Sequence, residues 1–254
     1  MAFRTPRGFM AAIFIGVSTI LPLPAWALDD AQKQELGAFV REYLLANPEI
    51  VEEMQQALEI KKEAASRMMA QTAIIDNHDA IFRAPEDIVL GNPVGDITVV
   101  EFYDYNCGFC KRAMKDMISL LEKDPDVRFV LKEFPILGPD SMAAHRVAMS
   151  FRKIAPEQYR DYHIALLSGD VRATEAHAIE VAKGFGVDES ALRAGMDDPA
   201  IDQSIRQTYE LANALGISGT PSFVIGNEAV FGAVGEEVLL EKINNMRQCE
   251  STIC

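Results

Sequence analysis

Cysteine is scarce in this chain, with four in 254 residues, at positions 107, 110, 249 and 254. That is too few for a small domain stapled by disulfides. Positive charge is also short. Lys and Arg number 24 against 38 Asp and Glu, a formal net charge of −14. Such a chain lacks the basic face that displaces counterions from nucleic acid or docks on an anionic bilayer. The apolar run at residues 9–21 has 13 residues, short of the ~20 that span a membrane. There is no internal repeat and no low-complexity tract. What remains is ordinary globular chemistry, 49% hydrophobic and 24% charged, enough for one large domain or two modest ones.

The N-terminus reads as an address. Arg4 and Arg7 precede the apolar run, and Ala25-Trp26-Ala27 follows Pro22 and Pro24. A positive start, a short apolar middle and a small-residue cleavage site make a secretory signal, expected over residues 1–27. No cysteine follows the cleavage site and the arginines are not adjacent, so neither a lipid anchor nor a twin-arginine signal is indicated. Cleavage removes the only tryptophan and leaves a net charge of −16. It also places the mature chain where disulfides persist.

Residues 28–84 read as almost purely helical. Asp29-Asp30 can cap a first helix, with Leu36, Phe39, Val40, Tyr43 and Leu44 on one face. Asn47-Pro48 reads as the start of a second, with no glycine or further proline before about Phe82. Val51, Met54, Leu58, Lys61, Ala65, Met68, Thr72 and Ile75 follow a 3-4 spacing, a coiled-coil-like seam weakened by Lys61 and Thr72. A stripe on a helix this long must be covered by the following domain or by copies of itself, and the uninterrupted length favours copies. Composition changes after Pro85. Residues 97–102 are a β-branched buried strand, 107–123 a helix and 127–131 a second strand, hence a parallel strand–helix–strand unit. Pro139, Pro156, Thr174, Asp188 and Pro199 are successive helix starts across 139–216, with Gly169, Gly184, Gly186 and Gly216 as stops. Residues 222–225 and 229–231 form a hairpin around Gly226-Asn227-Glu228, and 235–247 is a last helix.

Cys107-Gly108-Phe109-Cys110 follows a strand and opens a helix, the setting of a redox dithiol. A cysteine at a helix N-terminus faces unpaired N–H groups that favour its thiolate, and its partner one turn on is shielded and resolves mixed disulfides. The rival reading is half of a zinc site. It fails on ligand count, because Cys249 and Cys254 are distant and wrongly spaced and His78, His145, His163 and His177 form no metal-ligand pair. Those histidines therefore read as structural. Cys249 and Cys254 form either a small disulfide or a second redox centre, since four cysteines allow three pairings. Met68, Met69, Met114 and Met117 read as core filler before copper ligands.

Taken together, Glu101-Phe102-Tyr103-Asp104-Tyr105-Asn106-Cys107-Gly108-Phe109-Cys110, Lys132-Glu133-Phe134-Pro135 and Gly219-Thr220-Pro221-Ser222-Phe223 resemble the DsbA family of thioredoxin-fold thiol–disulfide oxidoreductases, over about residues 88–247. Residues 28–82 resemble the N-terminal extension of its ScsC-type, copper-sensitivity-suppressor branch. The resemblance implies an α/β thioredoxin fold over 85–138 and 217–254, with 139–216 an inserted helical domain. It implies that Thr220-Pro221 is a cis-proline loop facing the CxxC and pairing with substrate backbone. It makes Glu101 a buried acid that accepts the Cys110 proton. The rival reading of Glu101 is a solvated strand face. Where DsbA has Pro-His between its cysteines this chain has Gly108-Phe109, which implies a weaker oxidant. Phe109 adds apolar surface beside Cys107 for protein substrates.

The expectation is a periplasmic protein thiol–disulfide oxidoreductase, oxidase or isomerase, needing no cofactor or metal. Its partners are cysteine-containing secreted proteins and a membrane redox protein, and it self-associates through residues 28–82. The alternative is a non-catalytic copper-binding or holdase-type oligomer on the same scaffold.

Overall fold

The computed structural model describes residues 29–254. The expected signal peptide lies outside them. In the first of two compact units, Asp29 caps α1 (Asp30–Ala46) through a reciprocal box with Gln32. No residue of α1 is buried, and Leu36, Phe39, Val40, Tyr43 and Leu44 are exposed. Asn47, expected to cap the second helix, instead closes the first. Its backbone N–H and its Nδ2 both donate to Tyr43 O. The long helix α2 (Glu49–Asp76) carries the predicted seam. It does not reach Phe82, because Asn77 interrupts it and a separate turn, α3 (His78–Phe82), follows. Asn77 Nδ2 donates to Ala73 O at 2.8 Å, an asparagine competing for the helix's own carbonyls.

The second unit, residues 58–254, is built on five strands in the order β1-β3-β2-β4-β5. The strands are β1 (Ile88–Gly91), β2 (Ile97–Tyr103), β3 (Val127–Glu133), β4 (Ser222–Ile225) and β5 (Glu228–Phe231). β2 and β3 run parallel, Ile97 facing Val127 and Glu101 facing Leu131. β1, β4 and β5 add antiparallel. The hairpin turn is only Gly226-Asn227, since Glu228 already belongs to β5. Alternate side chains take opposite faces. Val99, Phe129 and Phe223 pack with α4 (Gly108–Lys123) and α10 (Glu236–Cys249), while Val100, Phe102, Val130 and Val224 pack on the other side with Ile74, Ile81, Phe82, Leu211 and Leu215.

Between β3 and β4 lie α5 (Pro139–Ile154), a 3-10 turn at Pro156–Gln158, α6 (Tyr159–Ser168), α7 (Glu175–Gly184), α8 (Glu189–Met196) and α9 (Pro199–Ala214). Thr174, Asp188 and Asp198 supply side-chain caps, and Pro139 and Pro199 take the first helical positions. Met114 and Met117 are core residues. Met68 and Met69 are not, at 69% and 73% exposure, against the core-filler reading. Among the described residues no helix is long and apolar enough to cross a membrane.

Candidate active site

β2 ends at Tyr103, and four residues turn the chain into α4. Asp104 is fully buried, and its Oδ1 accepts the Asn106 N–H at 2.8 Å, an Asx turn that sets the chain direction. Its Oδ2 accepts the Leu137 N–H at 2.9 Å. Asn106 then reaches across the domain. Its Nδ2 donates to Ser141 Oγ and to Ala173 O, both at 3.0 Å, and its Oδ1 accepts the Ala173 N–H. Lys111 Nζ donates to Gly169 O, one turn further along α4. Cys107, next after Asn106, is the N-cap of α4.

Cys107 and Cys110 are free thiols on consecutive turns. Cys107 is 6% exposed and its Sγ donates to Thr220 O at 3.1 Å. The Cys110 thiol beside it, the Thr220 side chain and the N–H groups of Cys110 and Phe109 outweigh burial and lower the Cys107 thiol to about 5. Cys110 is pushed far up, by burial first, then by its hydrogen bond to Cys107 and the nearby Glu101 carboxyl. One residue therefore supplies a thiolate at neutral pH while the other keeps its proton.

Glu101 is 2% exposed and shares the α4 face of β2 with Val99 and Tyr103. Its Oε1 has no hydrogen-bond partner. Burial, reinforced by the negative charges of Cys107 and Asp116, raises its carboxyl to about 8. It does not lie on a solvated strand face. Thr220 and Pro221 stand at the start of β4, joined by a cis bond, against Cys107. Phe109 is 55% exposed, with Arg112 Cζ 4.3 Å above its ring. The structure thus brings together all six residues singled out from the sequence.

Behind this centre lies a buried polar cluster that the sequence reading left as unpartnered histidines. His145 Nε2 accepts the Tyr105 N–H at 3.3 Å and its Nδ1 meets Glu133 Oε2. Tyr159 donates to Glu133 Oε1 at 3.1 Å, and the Tyr105 hydroxyl meets His163 Nδ1 at 3.1 Å. Burial opposes ionisation of Glu133, but its pairing with His145 and the Tyr103 hydroxyl keep it below the usual carboxylate range. His163 is lowered to about 4 by burial and stays neutral. Asp104 and Asn106 were missed too. Their signal was local, two Asx residues just before the first cysteine. Among the described residues no three His, Cys, Asp or Glu are grouped to hold a metal.

Residues 98–244 match the model of the DSBA-like thioredoxin domain, and residues 32–65 that of the copper resistance protein ScsC N-terminal domain. The chain is similar to a thioredoxin-like oxidoreductase from Silicibacter pomeroyi, at 40% identity and TM-score 0.66, over 68% of this chain and 99% of that one. It is similar to Proteus mirabilis ScsC in a transitional conformation, at 32% identity and TM-score 0.61, over 84% of this chain and 94% of that one. Among curated proteins it is 27% identical to the Na(+)/H(+) antiporter NhaA 3 of Salinispora tropica over 93% of its own length, but it spans only 38% of that protein.

Proposed function

Because the chain belongs to the DsbA-like thioredoxin-domain family and carries an ScsC-type N-terminal segment, we propose that it is a periplasmic protein thiol–disulfide oxidoreductase working through Cys107 and Cys110. The observation that carries this is the opposed ionisation of the two thiols, Cys107 lowered to about 5 and Cys110 raised. To reduce a substrate disulfide, the Cys107 thiolate attacks one sulfur and expels the other as a thiolate. Cys110 then gives up its proton and attacks Cys107 Sγ, which frees the substrate and closes Cys107–Cys110. Oxidation of a substrate dithiol is the reverse. Glu101 is suited to the proton step because its raised carboxyl takes a proton near neutral pH and returns it. Thr220 and Pro221 hold the substrate chain beside Cys107, and Phe109 with Arg112 offers an apolar, cationic surface to it.

The exposed stripes of α1 and α2 suit association with further copies. Several centres around one cleft would favour isomerisation over one-way oxidation. Secretion rests on the N-terminal layout, and a membrane redox partner is needed to recharge the site. The test is insulin reduction and reactivation of scrambled ribonuclease by wild type and Cys107→Ser. Both activities are expected to vanish in the variant. Equal behaviour of the two proteins would leave only the non-catalytic binding reading.

A further inference from the structure

The proposed reaction uses two of the four cysteines. The other two are bonded to each other: Cys249, the last residue of α10, and Cys254, five residues on. Both are exposed. The turn between them holds itself together without the bond. The Glu250 N–H donates to Met246 O at 3.0 Å, and Asn245 Nδ2 donates to the carbonyl of the buried Thr252 at 3.1 Å. A link closing so short a loop removes little freedom from the unfolded chain, and it ties no second element to the domain. Stability therefore gives this disulfide little purpose, and its exposure makes it exchangeable.

The two cysteine pairs occupy opposite electrostatic settings. Cys107 begins a helix, where free N–H groups favour a thiolate. Cys249 ends one, at the carbonyl pole, followed directly by Glu250. The pair whose thiolate is favoured is the stronger oxidant, so electrons run from a Cys249/Cys254 dithiol to a Cys107–Cys110 disulfide. The two pairs also occupy opposite ends of the domain. Arg247 binds Asp124, the C-cap of α4, at 2.6 Å, and Asp96, just before β2, at 2.7 Å. Cys107 lies at the other end of α4, sixteen residues long, or about 24 Å. The five residues after Cys249 reach at most about 18 Å. The tail cannot enter its own active site.

We propose that the Cys249/Cys254 dithiol is a substrate carried by the protein itself, closed in trans by the Cys107–Cys110 disulfide of a second copy. This rests on the thiol-exchange reading above. In the step, the Cys254 thiolate attacks Cys107 Sγ and breaks the Cys107–Cys110 bond, and Cys110 leaves and is protonated. Cys249, deprotonated, attacks Cys254 Sγ and expels Cys107. The terminal pair loses two electrons and two protons, and the active-site pair gains them. When open, the tail delivers Ile253, exposed beside Cys254, toward the exposed ring of Phe109 beside Cys107.

The test mixes two full-length proteins without oxygen. The donor is Cys107→Ser/Cys110→Ser with its terminal thiols reduced, and the acceptor is Cys249→Ser/Cys254→Ser with Cys107–Cys110 oxidised. Alkylation and mass spectrometry follow both pairs, and a dithiol peptide serves as control substrate. The expected result is one terminal disulfide formed per active-site disulfide lost, at least tenfold faster than with the same concentration of oxidised glutathione. A second mixture pairs Cys110→Ser/Cys249→Ser/Cys254→Ser, whose Cys107 is first loaded as the mixed disulfide with thionitrobenzoate, with reduced Cys107→Ser/Cys110→Ser/Cys249→Ser. Cys254 should expel thionitrobenzoate and give a linked species that peptide mapping places at Cys107–Cys254. An acceptor that oxidises the peptide but leaves the donor dithiol untouched overturns the inference alone. An acceptor inert toward both overturns the thiol-exchange reading and the inference with it.

Discussion

Asn106 grips Ala173 by both backbone groups, accepting its N–H at 2.8 Å and donating to its carbonyl at 3.0 Å. The residue before Cys107 is thereby bolted to the segment between α6 and α7, 67 positions away. Asn106→Ala breaks this clamp and leaves the polar groups of the buried Ala173 unpaired. The expected cost is about 1–3 kcal/mol of unfolding free energy by urea titration. The thiolate absorbance of Cys107 should also titrate at higher pH, because its N-cap geometry loosens. A purely structural role would leave that midpoint unmoved.

Cys107 sets a pH dependence of its own. Its thiol is lowered to about 5 in the fold, against about 8.5 when unfolded. The reduced form therefore gains stability as pH rises, fully above the unfolded value, and loses it as pH falls through about 5. Alkylation of Cys107 should show a midpoint near pH 5. Cys107→Ser should flatten the pH dependence of stability between pH 5 and 8.

Glu101 works in the other direction. Its carboxyl is raised to about 8, so its contribution is present below its unfolded value of about 4.3 and is lost as pH rises through about 8. Glu101→Gln should raise the thermal midpoint at pH 8 and leave it little changed at pH 4. It should slow resolution of the mixed disulfide, on the order of 10²-fold, as loss of a proton acceptor does. Stopped-flow release of a substrate thiol reads that step.

Between the cysteines, Phe109 provides no imidazole to stabilise the thiolate. Equilibration with glutathione should give a potential more negative than the about −120 mV of DsbA. Phe109→His should move it toward that value.

The apolar stripes should be covered in solution. Light scattering of the chain from residue 28 is expected to show an oligomer. Phe39→Asp with Met54→Asp should reduce it to a monomer while leaving insulin reduction intact.

Much of the fold could be read from local signals. Pro139, Thr174, Asp188 and Pro199 mark helix starts because caps and fixed backbone angles act within one turn. β1 escaped notice because four residues carry too little periodicity, and its partner Leu131 is 43 positions from Ile88. The break at Asn77 was hidden because neither glycine nor proline marks it. The cysteine pair was legible as a motif. The resemblance supplied Glu101, Thr220 and Pro221. The clamp from Asn106 and the pairing of His145 with Glu133 were not legible, since both depend on chain segments brought together only by folding.

Ile74, Ile81 and Phe82 close the side of the sheet away from Cys107, and this decides where the chain is divisible. Each such side chain contributes about 1.5–3 kcal/mol by leaving water, so together they approach the whole margin of about 5–15 kcal/mol that keeps a domain folded. Behind them Lys132 Nζ holds Ala80 O at 2.6 Å and Asp87 at 2.7 Å, nailing the same stretch to β3. The last turn of the long helix is therefore part of the floor on which the candidate site stands. A chain trimmed at the change in composition after Pro85 would keep all six residues of the candidate site and lose the foundation beneath them.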